Sequence, residues 1–468
     1  MTRIALPTGD ARASTGELLA GAGIEADGYE PSSRVLRSMS ENDTLQLRIF
    51  RERDIPVQVA LGNYDIGICG DAWLTEMSLR FPLQRISRIG SVPGPTTSVW
   101  LCAAPSSGLK EGQVPAGDGI PGARIVSEFP NIADAVAVHL RIPAYRLLTV
   151  HGSADAYPPE DAELVVMSAR DEEAVRAKGL VPLHRVFTGG MALIANSDSL
   201  GAHGLSSVLK RLAPALEPGQ PNLDFPLGES GLSMVREERD PGVVRLAVPD
   251  GHAQRHAPGV LREIGVELDG YDEKSYVRRP VSDIPGLTVK VVRPQDMPQL
   301  VAMGMFDLGI SGRDLLYEHL SKFPNSPVAM AVDLGTNRYR IGPVVPMDFP
   351  VDTTPQAVEI WNGLGRPVRI ASEFPATAER FARDHHLQFT SIIPVAGASE
   401  GFVPEDADFL VEGTETGTSI RANGLKMLDP FMESTSCVLV RSAPATTRVD
   451  LVDMLVDRFK NAAAAVKA

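Results

Sequence analysis

The chain contains one long sequence twice, and this duplication restricts its possible folds more than any other feature. Residues 3–9 (RIALPTG) recur as 245–251 (RLAVPDG), and residues 27–29 (DGY) recur as 269–271, in both cases 242 residues later. Further along, residues 127–130 (SEFP) recur as 372–375, 245 residues later. Spacing this wide predicts two copies of one complete folding unit rather than an array of short repeats.

The duplication divides the chain into three parts. We predict a first copy over residues 1–215, a linker rich in Pro, Gly and charge over 216–242, and a second copy over 243–468. Inside each copy, short strand-like runs alternate with amphipathic helical patterns. This alternation predicts an α/β fold with mostly parallel sheets and helices on both faces.

Charge and composition exclude several classes of partner. The 468 residues carry a formal net charge of -14 and no block of Lys or Arg, which argues against binding to nucleic acid or an anionic membrane. No segment is long and apolar enough to span a membrane. Three scattered cysteines predict buried thiols in a reducing compartment. We therefore expect a cytoplasmic protein.

A turn rich in hydroxyl side chains near the end of the second copy has the features of a phosphate site. An apolar run, 409–411, leads into Thr416, Gly417, Thr418 and Ser419, and a short helical pattern follows. Backbone N–H groups at such a turn converge on an anion, hydroxyls add donors, and glycine allows close approach. The alternative is that these residues only cap the helix.

Two acids flank the turn. Asp408 and Glu412 are expected at the carboxyl end of the strand, where they can accept hydrogen bonds from a sugar diol or face a metal-bound pyrophosphate. An acid beside a hydroxyl turn predicts a sugar phosphate as the ligand.

Residues 415–425 (ETGTSIRANGL) resemble the phosphoribosyl-pyrophosphate (PRPP) loop of ATP phosphoribosyltransferases, the enzymes that open histidine biosynthesis. Residues 51–71 and 293–314 resemble another segment of that family. The resemblance implies two α/β lobes per copy, like a periplasmic binding protein. In the second copy it places lobe one at about 243–335 plus 430–468 and lobe two at about 340–428.

The resemblance also implies a reaction. The second copy would transfer the 5-phosphoribosyl group of PRPP to a ring nitrogen of ATP and release pyrophosphate, with Mg²⁺ held mainly by substrate oxygens. The residues implied for PRPP are Asp408, Glu412, Glu415, Thr416, Gly417, Thr418 and Ser419. Glu412 would hold the ribose hydroxyls as a catalytic residue. The cleft for acceptor and pyrophosphate would include Gly251, His252, Arg293, Gly312, Arg313 and Glu400.

The first copy differs at the corresponding turn. It has Asp171, Glu172, Glu173 and Ala174 where the second has residues 416–419, and Met167 replaces Glu412. Carboxylates would repel a phosphate, so we expect no PRPP binding there. By resemblance, Arg51 of the first copy would reach the second copy's cleft as a catalytic residue, making the chain an internal pseudo-dimer. The alternative is a surface arginine, and further homo-oligomerisation is left open.

The acceptor is less constrained than the donor. Family members carry Pro-Lys-Gly-Arg after the first strand, whereas this chain has 7–10 (PTGD) and 249–252 (PDGH), without either cation. A triphosphate needs positive charge, so another nitrogen heterocycle in another pathway is an alternative acceptor. A second alternative is a regulatory or binding protein without catalysis. His252 and the pair His385 and His386 lack ligand-like spacing and are interpreted as structural or surface residues.

Overall fold

The computed structural model describes residues 2–33, 35–39, 45–80, 85–201, 203–229, 231–235 and 239–467. Residues 230 and 236–238 of the predicted linker lie outside this description. Part of the linker runs along the first copy, where residues 222–223 form a strand that pairs antiparallel with residues 187–188. Its end contacts the second copy, because Arg239 donates to the Gly304 carbonyl oxygen and the Pro241 carbonyl oxygen accepts from the Thr446 hydroxyl.

The first part of the chain alternates strands with helices, as its sequence pattern predicts. Its strands are β1 Thr2–Pro7, β2 Arg37–Met39, β3 Leu45–Phe50, β4 Ile66–Gly70, β5 Ile86–Ala103, β6 Arg124–Ser127, β7 Arg146–Thr149, β8 Leu164–Ala169, β9 Val181–Asn196 and β10 Asn222–Leu223. Its α-helices are α1 Ala11–Gly21, α2 Ile55–Ala60, α3 Asp71–Arg80, α4 Pro130–His139, α5 Glu172–Ala177 and α6 His203–Leu212.

These ten strands form one continuous sheet. Its order is β2-β3-β1-β4-β9-β5-β8-β6-β7, with β10 paired to β9. The long strands β5 and β9 pair antiparallel through most of their length, with a register shift between Val92 and Thr97. The two halves of the first copy are therefore joined through a shared pair of strands.

The second part of the chain repeats the alternation. Its strands are β11 Val244–Pro249, β12 Leu268–Asp269, β13 Val281–Ser282, β14 Leu287–Val292, β15 Leu308–Gly312, β16 Val328–Asp333, β17 Tyr339–Pro346, β18 Val368–Ser372, β19 Thr390–Pro394, β20 Phe409–Thr414, β21 Leu425–Met427, β22 Met432–Ser434 and β23 Ser436–Arg441. Its α-helices are α7 Ala257–Glu263, α8 Met297–Ala302, α9 Arg313–Lys322, α10 Thr354–Asn362, α11 Pro375–Asp384, α12 Thr418–Ala422 and α13 Val449–Lys467.

The second copy has two separate main sheets. One has the order β14-β11-β15-β23-β16, and the other has the order β19-β18-β20-β17-β21 with β22 paired to β17. Residues 334–338 and Thr435 connect them. We call the first sheet with its helices lobe one and the second lobe two. The α/β class is confirmed, but the sheets are mixed rather than mostly parallel, because the strands that cross between lobes, such as β17 and β23, run antiparallel to their neighbours.

The two copies pack against each other through two shared cores. One core joins Trp100 and Tyr157 of the first copy to Phe306 and Leu439 in lobe one of the second. The other joins Phe50, Tyr64 and Ile194 of the first copy to Phe402 and Leu410 in lobe two. Burial of large aromatic side chains on both sides is the main favourable term for such a contact. The arrangement is that of a dimer within one chain.

Several charged groups at these contacts have polar partners in the other copy. Lys290 Nζ donates to Glu160 Oε2 at 2.9 Å and to Asp161 Oδ2 at 2.8 Å. At the other contact, Tyr64 Oη donates to Asp406 Oδ2 at 2.6 Å. Burial raises the pKa of Asp406 to about 6. Pairing offsets the cost of removing these charges from water.

The remaining structural predictions concern cysteines and membranes. Cys69, Cys102 and Cys437 are free and buried, as predicted, and burial raises the pKa of each thiol. Among the described helices, none combines the length and apolarity that a bilayer-spanning helix requires.

Candidate active site

A cavity of about 800 Å³ lies between the two lobes of the second copy. Its floor includes residues just after the parallel strands β11 and β14, at the end of β15, and at the end of β20. The carboxyl ends of parallel strands commonly form ligand sites, because loops and helix starts converge there. Thr149 and His151 of the first copy also line the cavity.

The predicted phosphate turn faces this cavity. We call residues 414–419 the second loop; Thr414, Glu415, Thr416, Thr418 and Ser419 line the cavity. Gly417 has φ +70°, a conformation that favours glycine, and its N–H donates to Thr414 Oγ1 at 2.8 Å. The hydroxyls of Thr416 and Thr418 lie 2.9 Å apart. Uncharged donors thus cluster where a phosphate is predicted to bind.

An arginine that sequence reasoning did not select folds over this loop. Arg421 donates from Nη2 to the Thr416 carbonyl oxygen at 2.8 Å. A Cβ on Gly417 would lie 2.8 Å from Arg421 Nη1, so a larger residue there would displace the guanidinium, and the φ of +70° independently favours glycine. The guanidinium adds positive charge beside the uncharged donors. The signal was present in the sequence, because Arg176 occupies the equivalent position in the first copy.

Glu412 lies within β20, next to the second loop. Its Oε1 accepts from the Gly413 N–H at 2.9 Å, and its Oε2 accepts a short hydrogen bond from the Ser399 hydroxyl. Burial raises the pKa of Glu412, and the carboxylates of Glu373 and Glu400 raise it further. Three acids in a partly buried group favour a neighbouring positive charge.

Arg51 lies next to this acidic group although it belongs to the first copy. A Cβ on Gly397 would lie 3.0 Å from Arg51 Nε and 3.3 Å from Glu373 Oε1, so these three residues meet closely. Burial raises the pKa of Glu373, and Arg51 partly offsets that shift. Glu373 lines the cavity. The first copy thus places a cation behind the second copy's cavity, whereas the catalytic role of Arg51 stays a prediction.

The structure contradicts the predicted position of Asp408. It precedes β20 and lies at the opposite end of the strand from the cavity, so its predicted position at the carboxyl end is wrong. Its carboxylate accepts from Arg366 Nη2 at 2.7 Å and from Arg369 N at 2.8 Å. The strand of six residues separates Asp408 from the second loop. Asp408 therefore serves an ion-pair cluster, and nothing in this position brings it to a sugar or pyrophosphate.

The residues predicted for the acceptor and pyrophosphate fall into two groups. Gly251, His252, Arg293 and Gly312 line the cavity. The other two, Arg313 and Glu400, are described by the structure but do not line the cavity. Arg313 Nη1 contacts Asp333 Oδ2 at 3.4 Å, and Glu400 belongs to the acidic group around Glu412.

The cavity lining has few unpaired cations. Arg293 Nη1 contacts Asp250 Oδ1 at 3.4 Å, and Lys322 Nζ contacts Glu318 Oε1 at 2.8 Å. Arg278 also contacts Asp250, at 3.1 Å. These pairs leave little positive charge for a triphosphate in the arrangement described, consistent with the missing cations in the sequence.

His252 does not stand alone, contrary to its interpretation from sequence spacing. The rings of His252 and His256 have centroids 6.0 Å apart. Potential ligand atoms of His252, His256 and Glu415 all lie within 4.8 Å of one another. Spacing along the chain missed this group because Glu415 comes from the other lobe.

The corresponding loop of the first copy, residues 169–174, has different chemistry, and we call it the first loop. Asp171 is the N-cap of α5 and accepts from the Ala174 N–H at 2.8 Å. Arg170 Nε donates to Asp171 Oδ2 at 2.8 Å. The acid thus occupies the backbone donors that a phosphate would need, which supports the prediction that this loop does not bind PRPP.

The sequence analysis did not select two residues that line the cavity, His151 and Glu373. His151 comes from the other copy, and Glu373 lies outside the predicted phosphate turn. His151 of the first copy has Nδ1 2.6 Å from Asp296 Oδ1, and only the packing of the copies places it in the cavity. Glu373 was part of the repeated SEFP sequence, and its repetition at Glu128 was the available signal.

Comparison with known proteins matches both halves of the chain. The family model described as ATP phosphoribosyltransferase matches residues 51–217 and again residues 293–461. The enzyme named ATP phosphoribosyltransferase from Bordetella pertussis is 31% identical over 221 residues, which cover 46% of this chain and 94% of the relative. Its namesake from Leptothrix cholodnii is 28% identical over 225 residues, covering 48% and 99%.

Among solved structures, the ATP phosphoribosyl transferase (HisG:HisZ) complex from Thermotoga maritima matches with 23% identity and a TM-score of 0.37, covering 47% of this chain and 99% of that chain. Each sequence relative above thus spans less than half of this chain but nearly its own full length. Since the family model matches in tandem and covers well over half of the residues, the chain belongs to the ATP phosphoribosyltransferase family of phosphoribosyl-transferring enzymes.

Proposed function

We propose that the second copy transfers the 5-phosphoribosyl group of PRPP to a ring nitrogen of ATP with release of pyrophosphate, the reaction type of histidine biosynthesis. The observation that carries this proposal is the second loop, which presents uncharged donors to the cavity in a chain that belongs to the family. Family membership alone does not distinguish the copies. The loop does, because the first loop is capped by Asp171.

The 5-phosphate of PRPP is assigned to Thr416, Gly417, Thr418 and Ser419. In the structure, Gly417 N–H and the threonine hydroxyls bond within the loop. A phosphate dianion would replace those neutral hydrogen bonds with charge-assisted ones, which are about twice as strong. Arg421, on the following helix, places a cation beside the loop.

The ribose is assigned to the region of Glu412 and Glu373. A ring nitrogen forms a bond to the anomeric carbon as the carbon–oxygen bond to pyrophosphate breaks, and pyrophosphate leaves with that electron pair. The sugar develops oxocarbenium character between these events. A negative group fixed beside the sugar stabilises that developing charge, and carboxylates held in place before the reaction do so without reorganisation.

Mg²⁺ is proposed as the cofactor. Glu373 suits it, because its carboxylate lines the cavity and accepts no hydrogen bond from the described residues, and Mg²⁺ prefers oxygen ligands. When bound, the ion would neutralise charge on the departing pyrophosphate. Glu373 would hold it together with oxygens of the substrate, while Arg51 limits the charge of the acidic group.

One alternative acceptor is favoured by a specific observation. Both cations of the described cavity lining, Arg293 and Lys322, contact acids. These acids neutralise the two cations. An acceptor with fewer negative charges than ATP would need less positive charge in the cavity. The same donor chemistry on another nitrogen heterocycle is therefore the second candidate.

Mass spectrometry of reaction mixtures separates these candidates. The full chain is incubated with PRPP, Mg²⁺ and either ATP or one of a set of purines, pyrimidines and other nitrogen heterocycles. A product with the mass of phosphoribosyl-ATP, accompanied by pyrophosphate, is the expected result. Product from another heterocycle and none from ATP would contradict the first candidate and support the second.

A further inference from the structure

We propose that His252, His256 and Glu415 form a binding site for a divalent transition metal such as Zn²⁺, and that the bound ion links the two lobes of the second copy. This site goes beyond the proposed transfer reaction, which uses Mg²⁺. The three side chains are exposed, and their potential ligand atoms lie within 4.8 Å of one another.

The residue types specify the class of metal. Two imidazole nitrogens and one carboxylate oxygen suit Zn²⁺, Co²⁺ or Ni²⁺, whereas Mg²⁺ selects oxygen ligands. A set of three protein ligands leaves a position open for water or a substrate oxygen. The site therefore differs in chemistry from the Mg²⁺ site proposed at Glu373.

The geometry requires only small movements. Ligands at about 2.1 Å from a tetrahedral Zn²⁺ lie about 3.4 Å from one another. Ligand atoms within 4.8 Å therefore need to close by roughly 1 Å, which rotation of exposed side chains can provide. Within the part of the chain that the structure describes, no hydrogen bond or ion pair occupies the side chains of His252, His256 or Glu415, so binding breaks no existing contact.

The ligands come from both sides of the cavity. His252 lies in the short 3₁₀ segment Gly251–Arg255, and His256 follows it directly at the start of α7 in lobe one. Glu415 belongs to the second loop in lobe two. The lobes are otherwise joined through residues 334–338 and Thr435, so a shared ion would oppose their separation at the cavity.

The first copy offers an internal comparison. The positions equivalent to His252 and His256 hold Asp10 and Ser14, and the position equivalent to Glu415 holds Arg170. A cation at that third position repels a metal ion. The structure therefore assigns one such site to each chain.

The test measures Zn²⁺ binding to the full chain by isothermal titration calorimetry, without PRPP or ATP. Wild type should bind one Zn²⁺ per chain. Substitution of an outer-shell group already weakens metal affinity by about 10- to 100-fold, so losing a direct ligand in His256→Ala or Glu415→Gln should weaken it by at least about 100-fold. The control His385→Ala with His386→Ala, a histidine pair elsewhere in lobe two, should retain wild-type affinity.

Each outcome decides the proposal. No Zn²⁺ binding by wild type, or unchanged affinity in His256→Ala, would overturn the site. Unchanged affinity in Glu415→Gln would overturn the link between lobes and leave a two-histidine site on lobe one. His256→Gln and melting of the metal-free variants verify that loss of binding is not loss of folding. Zn²⁺ should also slow hydrogen exchange in residues 334–338 of wild type, and not in Glu415→Gln, if the ion restrains the lobes.

Discussion

The first and second loops share one backbone pattern, but the first carries acidic side chains and the second carries uncharged hydrogen-bond donors. Both follow a strand and precede a short helix, and both keep an arginine at the same position. In the second copy Arg421 donates to the loop carbonyl of Thr416. In the first, Arg176 pairs with Glu111 at 2.6 Å and with Glu172 at 2.8 Å. The retained cation is neutralised where the loop carries acids.

The sheets of the two copies also differ: the first copy has one continuous sheet, and the second has two main sheets. Strands β5 and β9 join all of the first copy into one ten-stranded sheet, whereas the second copy keeps two main sheets with the cavity between them. A continuous sheet resists relative movement of its halves, while short connections such as 334–338 permit it. The continuous sheet suits the first copy to a supporting role, whereas the short connections leave the two lobes of the second copy freer to move relative to each other.

The largest expected effect comes from giving the second loop the chemistry of the first. Thr418→Asp with Ser419→Ala places a carboxylate where the 5-phosphate should bind. Two like charges about 4 Å apart near a protein surface repel by about 4 kcal/mol, so PRPP affinity should fall by about 1000-fold. Calorimetric titration with PRPP measures the loss.

The matched control makes the opposite kind of change, from an acid and an alanine to hydroxyl side chains, at the equivalent positions 173 and 174 of the first copy. Glu173→Thr with Ala174→Ser leaves the second loop intact, so turnover in a pyrophosphate-release assay should remain at the wild-type level. Retained PRPP binding in Thr418→Asp with Ser419→Ala would refute the assignment of the phosphate to the second loop.

A smaller effect is expected at Glu412, where the first copy has Met167. At pH above the raised pKa of Glu412, Glu412→Gln keeps the side-chain size but removes the negative charge beside the developing positive sugar, and should lower kcat by about 100-fold while changing PRPP affinity little. Because burial and neighbouring acids raise the pKa of Glu412, the wild-type rate should rise with pH as this group loses its proton. A kcat for Glu412→Gln equal to wild type would exclude this role, and Met167→Gln serves as the control.

The sequence predicted the parts of this comparison that are local. The duplication, the α/β class and the donor-lined turn follow from repeated residues, alternating patterns and turn chemistry, all of which operate over short distances. Asp171 as a helix cap was also readable from its place before a helical pattern.

The sequence did not predict what depends on packing between distant segments. Asp408 immediately precedes β20, which begins where the predicted apolar run 409–411 begins, so placing Asp408 at the carboxyl end was an error about strand direction and not one of packing. The grouping of Glu415 with His252 and His256 depends on how the lobes meet. The contact of Arg51 with Glu373 depends on how the copies meet, and only the family resemblance suggested it.

The arginines at equivalent positions of the two copies provide the next test. Arg421→Ala removes a cation from the second loop and should weaken PRPP binding by about tenfold, since a hydrogen bond to a charged group contributes about 1.5 kcal/mol. Arg176→Ala removes only solvent-exposed ion pairs of the first copy, which water screens strongly, and should leave PRPP affinity unchanged. Equal PRPP affinities for the two variants would show that Arg421 does not assist the loop.

The smallest expected effect concerns equivalent aspartates at the two contacts between copies. Asp296 Oδ2 accepts from the His151 N–H at 3.0 Å, and its Oδ1 lies 2.6 Å from the His151 ring. Asp54 Oδ2 accepts from the Ala396 N–H at 3.1 Å, where the partner residue has no imidazole. Burial raises the pKa of Asp54 to about 6, although that hydrogen bond and Arg53 and Arg51 oppose the shift.

The sign of the pH effect follows from this raised pKa. An unfolded aspartate titrates near about 3.9, so between about pH 4 and pH 6 the folded chain holds a proton that the unfolded chain has released. Stability contributed by Asp54 is therefore present below about pH 4 and lost as pH rises through about 6. Between pH 5 and pH 7 the loss should be about 1 kcal/mol, and Asp54→Asn should abolish it. Urea unfolding of both proteins at the two pH values measures the difference, and an identical pH dependence would show that the charge of Asp54 is balanced at its contact as fully as an imidazole would balance it.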